Sequence, residues 1–164
     1  MDLLIVDDEA SLRDLLAVMF EEEGNLVETA ASIAEARVAL HKAEPDLVLC
    51  DLMLPDGSGL DLLREIKEKT PSVAVIMITA HESSKSAVEA LKAGAFHYIA
   101  KPFDTEELKN IVRKAAERKE LEDENLHLRS ALEERFTFSN IIGKSGRMTS
   151  CRTPWPTRRR SSLP

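Results

Sequence analysis

Five polar residues follow or end short apolar stretches of this sequence, and their types fit phosphoryl-transfer chemistry. They are Asp7, Asp8, Asp51, Thr79 and Lys101. Three carboxylates brought together repel one another, and a divalent cation relieves that repulsion. Mg²⁺ suits such a set because it prefers hard oxygen ligands and keeps waters that a phosphate can replace. A hydroxyl and an ammonium group would then hold the remaining phosphate oxygens during in-line transfer of a phosphoryl group onto a carboxylate.

The elements that must position these residues alternate between apolar strands and amphipathic helices. The apolar runs predict strands at residues 3–6, 26–29, 47–50, 73–78 and 96–100. A helical pattern follows each run, and a Pro-Asp-Gly turn signal follows the third run. Near-continuously apolar strands indicate a parallel sheet covered on both faces. The sequence therefore predicts an α/β fold, a doubly wound five-stranded sheet of the flavodoxin-like kind, in which ligands bind beyond the carboxyl ends of the strands.

A long C-terminal helix is predicted from Asp104 to about Phe136, because no breaker interrupts the helical pattern there. Its apolar residues partly follow a heptad, with a and d positions at Ile111, Leu121, Asn125, Leu128 and Leu132. An asparagine at an a position favours a two-stranded coiled coil. The pattern favours a homodimeric coiled coil, and a single solvated helix is the alternative.

Charge and cysteine content narrow the function classes. The 164 residues carry a net charge of -7, although the five arginines from Arg147 onward have no acidic neighbours. Residues 1–146 are therefore strongly acidic and should bind nucleic acid poorly.

Cys50 ends an apolar run and is expected to be a buried small hydrophobe. Cys50 and Cys151 do not have the spacing of metal ligands. We expect a cytoplasmic chain without a signal peptide or membrane span.

Four segments together carry a resemblance to a known family. They are LLIVDDE at residues 3–9, DLMLPDG at 51–57, ITA at 78–80 and YIAKPF at 98–103. On these motifs, residues 1–120 resemble the receiver domain of bacterial two-component response regulators. The resemblance implies a phosphoacceptor domain that assists its own phosphorylation and dephosphorylation, rather than an enzyme with turnover.

The resemblance also implies roles for the acidic residues. Asp51 would accept a phosphoryl group from a sensor histidine kinase. Asp7 and Asp8 would form an acid pocket, in which Asp8, Asp51 and the backbone carbonyl of Met53 would bind Mg²⁺. These assignments are carried over by position in the motifs.

The remaining motif residues would form the phosphate clamp and the switch. Lys101 would hold the phosphoryl oxygens, and its peptide bond to Pro102 is expected to be cis. Thr79 would be the switch hydroxyl, and Tyr98 would be the switch aromatic that enters the space Thr79 vacates. A core-filling role is the alternative for Tyr98.

A second and shorter resemblance concerns residues 138–145 (FSNIIGKS), which look like the opening of the AAA+ ATPase domain of NtrC-type transcriptional activators. The continuation lacks a P-loop, so 137–148 is interpreted as the start of a truncated AAA+ domain. Residues 149–164 are expected to be disordered and non-native, with a basic arm that contacts nucleic acid as the alternative. Residues 104–136 would be the last receiver helix continuing as a linker, and this chain would not bind DNA directly.

The functional hypothesis is therefore a phosphoacceptor switch that controls dimerisation and a downstream sigma-factor-dependent ATPase. The dimer would form through the linker helix, through the face made by the fourth helix, fifth strand and fifth helix, or through both. The alternatives are a stand-alone receiver that signals by protein contact and a Mg-dependent phosphatase with an aspartyl-phosphate intermediate. Such phosphatases typically need a second acid where Met53 stands. A flavin-binding module is disfavoured because two aspartates follow the first strand.

Overall fold

A computed structural model describes residues 1–80 and 83–150, with side chains described as far as residue 137. The chain divides into two units, with the boundary between Leu121 and Glu122. The predicted ATPase start (137–148) and the predicted tail (149–164) have no described side chains except that of Thr137. Cys151 therefore lies outside the described residues. Within the described part of the chain, no helix combines the length and apolar character that crossing a membrane requires.

The strands and helices follow the alternation that the sequence predicts. In chain order they are β1 (Asp2–Val6), α1 (Ala10–Glu22), β2 (Leu26–Ala30), α2 (Ile33–Lys42), β3 (Leu47–Asp51), β4 (Met53–Leu54), β5 (Gly57–Ser58), α3 (Gly59–Lys69), β6 (Ala74–Thr79), α4 (Ser84–Lys92), β7 (His97–Ala100) and α5 (Thr105–Ser150). Five of the strands form one sheet in the order β2-β1-β3-β6-β7, and every pairing in it is parallel. This confirms the predicted doubly wound five-stranded fold.

A short antiparallel ribbon was not predicted as strands. Its strands β4 and β5 pair Met53 with Ser58 and Leu54 with Gly57. The sequence indicated only a turn at this point, because two-residue strands are too short to show an alternating pattern. The ribbon lies directly after Asp51, at the end of β3.

The sheet separates two hydrophobic clusters, since successive strand side chains point to opposite faces. One cluster contains Leu4, Val48 and Met77 from the strands, packed with residues of α2, α3 and α4. The other contains Leu3 and Leu49, packed with residues of α1 and α5. Burying each leucine side chain contributes about 2 kcal/mol, so both faces stabilise the sheet edge at which the candidate site lies.

The first turn of α2 shows how a local sequence signal fixes a helix start. The Ser32 hydroxyl accepts a hydrogen bond from the Glu35 amide at 3.2 Å, as expected for a helix N-cap. The Glu35 carboxylate in turn accepts from the Ala31 amide at 2.7 Å, one residue before the cap. Ser32 and Glu35 therefore form a capping box in a slightly shifted form.

Helix α5 differs from the prediction in length and in the part available to a partner. It runs to Ser150, beyond the predicted end near Phe136. Ile111 is buried in the cluster beside α1, so it cannot pack against α5 of a second copy in a coiled coil. Leu128 and Leu132 are exposed by 59% and 53%. The first heptad residue therefore packs within its own domain, and a periodic pattern alone does not distinguish that contact from one with a partner helix.

Candidate functional site

The strand ends bring the predicted site residues to one edge of the sheet. Asp7 directly follows β1, Asp51 ends β3, Thr79 ends β6 and Lys101 directly follows β7. The strand pairings bring these carboxyl ends to the same level of the sheet, because Asp51 pairs with Ile78 and Thr79 pairs with Ala100. The parallel topology thus converts four distant sequence positions into one cluster.

The Lys101 ammonium group joins two of the carboxylates. Its Nζ donates to Asp7 Oδ2 at 2.8 Å and to Asp51 Oδ2 at 2.9 Å. The side chains of Asp7, Asp51 and Lys101 are only 3%, 8% and 17% exposed. Burial lowers the pKa of Lys101, but the hydrogen bonds and charges of the two carboxylates outweigh it and raise that pKa above its ordinary value. Lys101 is therefore a cation throughout the physiological pH range.

The carboxylates form a cluster that fits a hard divalent cation. Asp7, Asp8 and Asp51 each offer one oxygen, and these oxygens all lie within 4.8 Å of one another. Asp8 is exposed, whereas Asp7 and Asp51 are buried. One ammonium group does not balance three carboxylates, so the cluster keeps an excess of negative charge. An oxygen-only donor set with this charge matches the preferences of Mg²⁺.

Backbone groups fix the remaining oxygens of the buried carboxylates. Asp51 Oδ1 accepts from the Met53 amide at 3.0 Å, and Asp7 Oδ1 accepts from the Glu9 amide at 2.9 Å. Arg13 on α1 donates to the Asp7 carbonyl oxygen at 2.7 Å. Arg13 could not be recognised from the sequence, because it belongs to no motif and reaches the site only through the position of α1. The two amide bonds hold the carboxylates in one orientation, and the Arg13 bond holds the main chain of Asp7.

The main chain of Asp51 is held by tight packing at the start of α3. A Cβ atom on Gly59 would overlap the Asp51 carbonyl oxygen and lie 3.0 Å from Cys50 Sγ. The Cys50 thiol donates to the same carbonyl oxygen at 3.3 Å. Burial, together with the charges of Asp51 and Asp7, raises the pKa of Cys50, so it remains a neutral thiol. Cys50 is a free, buried cysteine, as predicted.

Thr79 and Tyr98 lie on the same face of the sheet in neighbouring strands. Tyr98 is the register partner of Met77, and Thr79 follows Met77 by two residues. Thr79 is fully buried, whereas Tyr98 is half-buried and packs against the cluster that contains Met77. The Lys101 amide donates to the Thr79 carbonyl oxygen at 2.6 Å. The Lys101–Pro102 peptide bond is cis, as the family resemblance implied.

This fold, with acidic residues and a lysine at its carboxyl edge, defines a class of signalling domain. Residues 3–113 match the sequence profile of the response regulator receiver domain. The chain therefore belongs to the response regulator receiver family. Members of this family are phosphoacceptor switches of two-component systems, and they typically bind Mg²⁺ at their acidic pocket.

The curated relatives are NtrC-type activators. The chain is 38% identical to the response regulator PilR of Pseudomonas aeruginosa over 162 residues, which cover 98% of this chain and 34% of PilR. It is 36% identical to the regulatory protein AtoC of Escherichia coli over 149 residues, which cover 89% of this chain and 32% of AtoC. The chain thus spans about a third of the length of the curated relatives it matches.

Solved structures share the same fold. NtrX of Brucella abortus is 38% identical with a TM-score of 0.73, and the match covers 78% of this chain and 30% of NtrX. A receiver domain protein of Clostridium thermocellum is 37% identical with a TM-score of 0.69, covering 73% of this chain and 97% of that protein. The beryllofluoride-activated NtrC4 receiver domain dimer is 36% identical with a TM-score of 0.69, covering 72% and 98%. The chain is thus a receiver domain of the NtrC type.

Proposed function

We propose that Asp51 receives a phosphoryl group from a sensor histidine kinase in a Mg²⁺-dependent reaction. The observation that carries this proposal is the meeting of three carboxylates with the Lys101 ammonium at the edge of the sheet. A buried carboxylate beside a fixed cation, in a cluster with excess negative charge, fits a phosphoacceptor better than a structural ion pair.

The chemistry can be assigned to this chain's own groups. An Asp51 carboxylate oxygen attacks phosphorus, the bond from phosphorus to the donor's histidine nitrogen breaks, and the imidazole takes up a proton. Lys101 is a fixed cation beside the reacting oxygen, where it stabilises the negative charge of the phosphoryl oxygens. The Met53 amide orients the carboxylate through Oδ1. Loss of the phosphoryl group returns the site to its starting state by attack of water on phosphorus.

Three groups would hold the cation: the carboxylates of Asp8 and Asp51 and the backbone carbonyl of Met53. Asp7 completes the acid pocket, because its carboxylate lies in the same cluster and its Oδ2 accepts from Lys101. When bound, Mg²⁺ would neutralise the charge that the carboxylates and the phosphoryl oxygens share.

The switch would act through Thr79 and Tyr98. A phosphoryl group on Asp51 gives the Thr79 hydroxyl a new acceptor at the end of β6, and its reorientation frees space on the face that Tyr98 shares. This biases a two-state surface formed by α4, β7 and α5. Phosphorylation would thereby control homodimerisation, through that face, through α5, or through both. A related receiver was solved as a beryllofluoride-activated dimer.

In a longer protein, the switch would control a sigma-factor-dependent ATPase that activates transcription. The similarity to NtrC-type activators supports this role, and the chain spans about a third of their length. The chain itself carries the phosphoacceptor and dimerisation parts, and we propose that it works in the cytoplasm without binding DNA directly.

The test is phosphorylation of the purified chain by acetyl phosphate with and without Mg²⁺, followed by intact-mass measurement. The wild type should gain one phosphoryl group only with Mg²⁺, and Asp51→Asn should gain none. Asp61→Asn is the matched control, because it also removes one carboxylate but changes only an exposed side chain paired with Arg64. An unmodified wild type, or an equal mass gain in Asp51→Asn, would refute the assignment.

A further inference from the structure

The ribbon of β4 and β5 connects the acceptor carboxylate to the rest of the fold. Its first residue, Met53, donates its amide to Asp51 Oδ1 at 3.0 Å. Its last residue, Ser58, is the N-cap of α3 and accepts from the Leu60 amide at 3.2 Å. The position of this ribbon therefore sets where the Met53 amide and carbonyl stand relative to Asp51.

Asp56, at the tip of the ribbon, binds the N-terminus of α2 with both carboxylate oxygens. Oδ1 accepts from the Ile33 amide at 2.9 Å, and Oδ2 accepts from the Ala34 amide at 2.9 Å. The first amides of a helix have no partner within the helix. Asp56 satisfies two of them from 22 and 23 residues away in the sequence, and Ser32 satisfies that of Glu35. These bonds lower the pKa of Asp56, so it is ionised at neutral pH.

Packing reinforces this bond between the ribbon and the helix. Gly57 has a φ of 154°, and a Cβ atom there would lie 3.0 Å from Ile33 Cδ1. The tip of the ribbon thus contacts Ile33, the first residue of α2, in two ways. The Asp56 carboxylate binds the Ile33 amide, and Gly57 packs closely against the Ile33 side chain. The negative carboxylate is also favoured at the positive end of the helix dipole.

We propose that Asp56 is a positioning residue for phosphoryl transfer, which holds Met53 in the place where its amide orients Asp51 and where its carbonyl would help to hold the cation. This inference rests on the proposed function, because it concerns the Mg²⁺ and acceptor site described above. Asp56 acts through Met53 and does not touch the reacting atoms.

Asp56 influences the cation site through the ribbon and Met53. Loss of the Asp56 carboxylate releases the ribbon tip from α2. Among the described residues, the two hydrogen bonds that Asp56 accepts are the ones that join the ribbon to that helix. A released tip lets the ribbon shift at Met53, which pairs with Ser58 on the opposite strand. A shifted Met53 carbonyl and a reoriented Asp51 carboxylate bind the cation less tightly. Residues that orient metal ligands typically affect metal affinity by about tenfold or more.

The experiment measures the Mg²⁺ concentration at half-maximal phosphorylation, with acetyl phosphate as donor, in wild type, Asp56→Ala and Asp56→Asn. Asp56→Ala should need about tenfold more Mg²⁺, while its rate at saturating Mg²⁺ changes far less. Asp56→Asn should be intermediate, because the amide oxygen can accept from one of the two helix amides. Asp61→Asn is the matched control and should behave as the wild type does. Circular dichroism establishes that each variant is folded at the assay temperature.

A second readout separates this inference from the proposed function. Mg²⁺ is titrated without any phosphodonor, and the amide resonance of Met53 is followed by NMR. If the wild type binds Mg²⁺ but is never phosphorylated, the proposed function fails and the shift in Mg²⁺ affinity still decides the role of Asp56. Equal Mg²⁺ half-saturation in wild type and folded Asp56→Ala, or no Mg²⁺ binding at all, overturns the inference and leaves Asp56 as a helix cap.

Discussion

The ammonium nitrogen of Lys101 lies 2.9 Å from Asp51 Oδ2, and both side chains are largely buried. Lys101 is thus a positive charge that stabilises the two buried carboxylates of the acid cluster. A bound cation would share the same carboxylates. Lys101 and Mg²⁺ should therefore compensate for one another in stabilising the site.

The substitution Lys101→Met tests this relationship. Without Mg²⁺ the free energy of unfolding should fall by about 3 kcal/mol, because two buried carboxylates lose their partner. Saturating Mg²⁺ should recover most of that loss, so the cation should stabilise the variant more than the wild type. Chemical denaturation with and without Mg²⁺ measures both effects. Lys69→Met, which removes an exposed ion pair with Glu65, should change stability by at most about 0.5 kcal/mol. A smaller Mg²⁺ effect in Lys101→Met than in wild type would contradict the prediction.

Gly59→Ala should be strongly destabilising, because the added methyl group would overlap the Asp51 carbonyl oxygen. We expect a loss of about 3 kcal/mol in the free energy of unfolding, measured in urea. Gly24→Ala is the matched comparison, since Gly24 has a φ of 85° but a Cβ atom there would meet no heavy atom within 4 Å. It should lose only about 1 kcal/mol from backbone strain. Equal losses at the two glycines would show that the contact with Asp51 is not restrictive.

The sequence predicted the sheet and the meeting of the candidate site residues at one edge, because both depend on strong local signals. Each apolar run ends in a polar residue, and a parallel sheet necessarily brings such ends to one edge. Asp51, Thr79 and Lys101 could thus be placed together without coordinates. The positions of the Asp7 and Asp8 carboxylates followed from the same rule.

The contacts that orient these residues could not be predicted in this way. Asp56 was visible only as part of a turn, because its partners in α2 lie 22 and 23 residues away and have no distinctive side chains. Arg13 reaches the Asp7 carbonyl only through the placement of α1. Ile111 fitted a heptad but is buried in its own domain. In each case a tertiary contact decides the role, and the local pattern carries no information about it.

The link between Asp46 and Lys119 should contribute stability that is lost in acid. Asp46 accepts from Lys119 Nζ at 2.5 Å and from the Asp2 amide at 2.8 Å. Burial raises the pKa of Asp46, but these hydrogen bonds outweigh it and lower that pKa below its ordinary value. A carboxylate whose pKa is lower in the folded state stabilises the fold above its unfolded pKa of about 3.9 and loses this effect as the pH falls through the folded value.

Asp46→Asn should therefore be less stable than the wild type by about 1 kcal/mol at neutral pH. The difference in free energy of unfolding should stay constant down to about pH 5 and shrink below about pH 4. Denaturation across this pH range measures it. Lys119→Met should show the same loss at neutral pH, and the double variant should lose less than the sum of the two. A difference that persists unchanged in strong acid would contradict the assignment.

The exposed leucines of α5 predict a specific pattern of self-association. On the heptad that begins at Ile111, Leu128 occupies a d position and Leu126 a b position, yet the two side chains are similarly exposed, by 59% and 63%. If the helix pairs with a second copy, Leu128→Ser should weaken the dimer at least tenfold, a cost of about 1.4 kcal/mol, because a d residue packs into the partner. Leu126→Ser should leave the dimer intact. Sedimentation equilibrium of the phosphorylated and unphosphorylated chains measures this. Equal effects of the two substitutions, or a wild type that is monomeric in both states, would instead identify α5 as a single solvated helix.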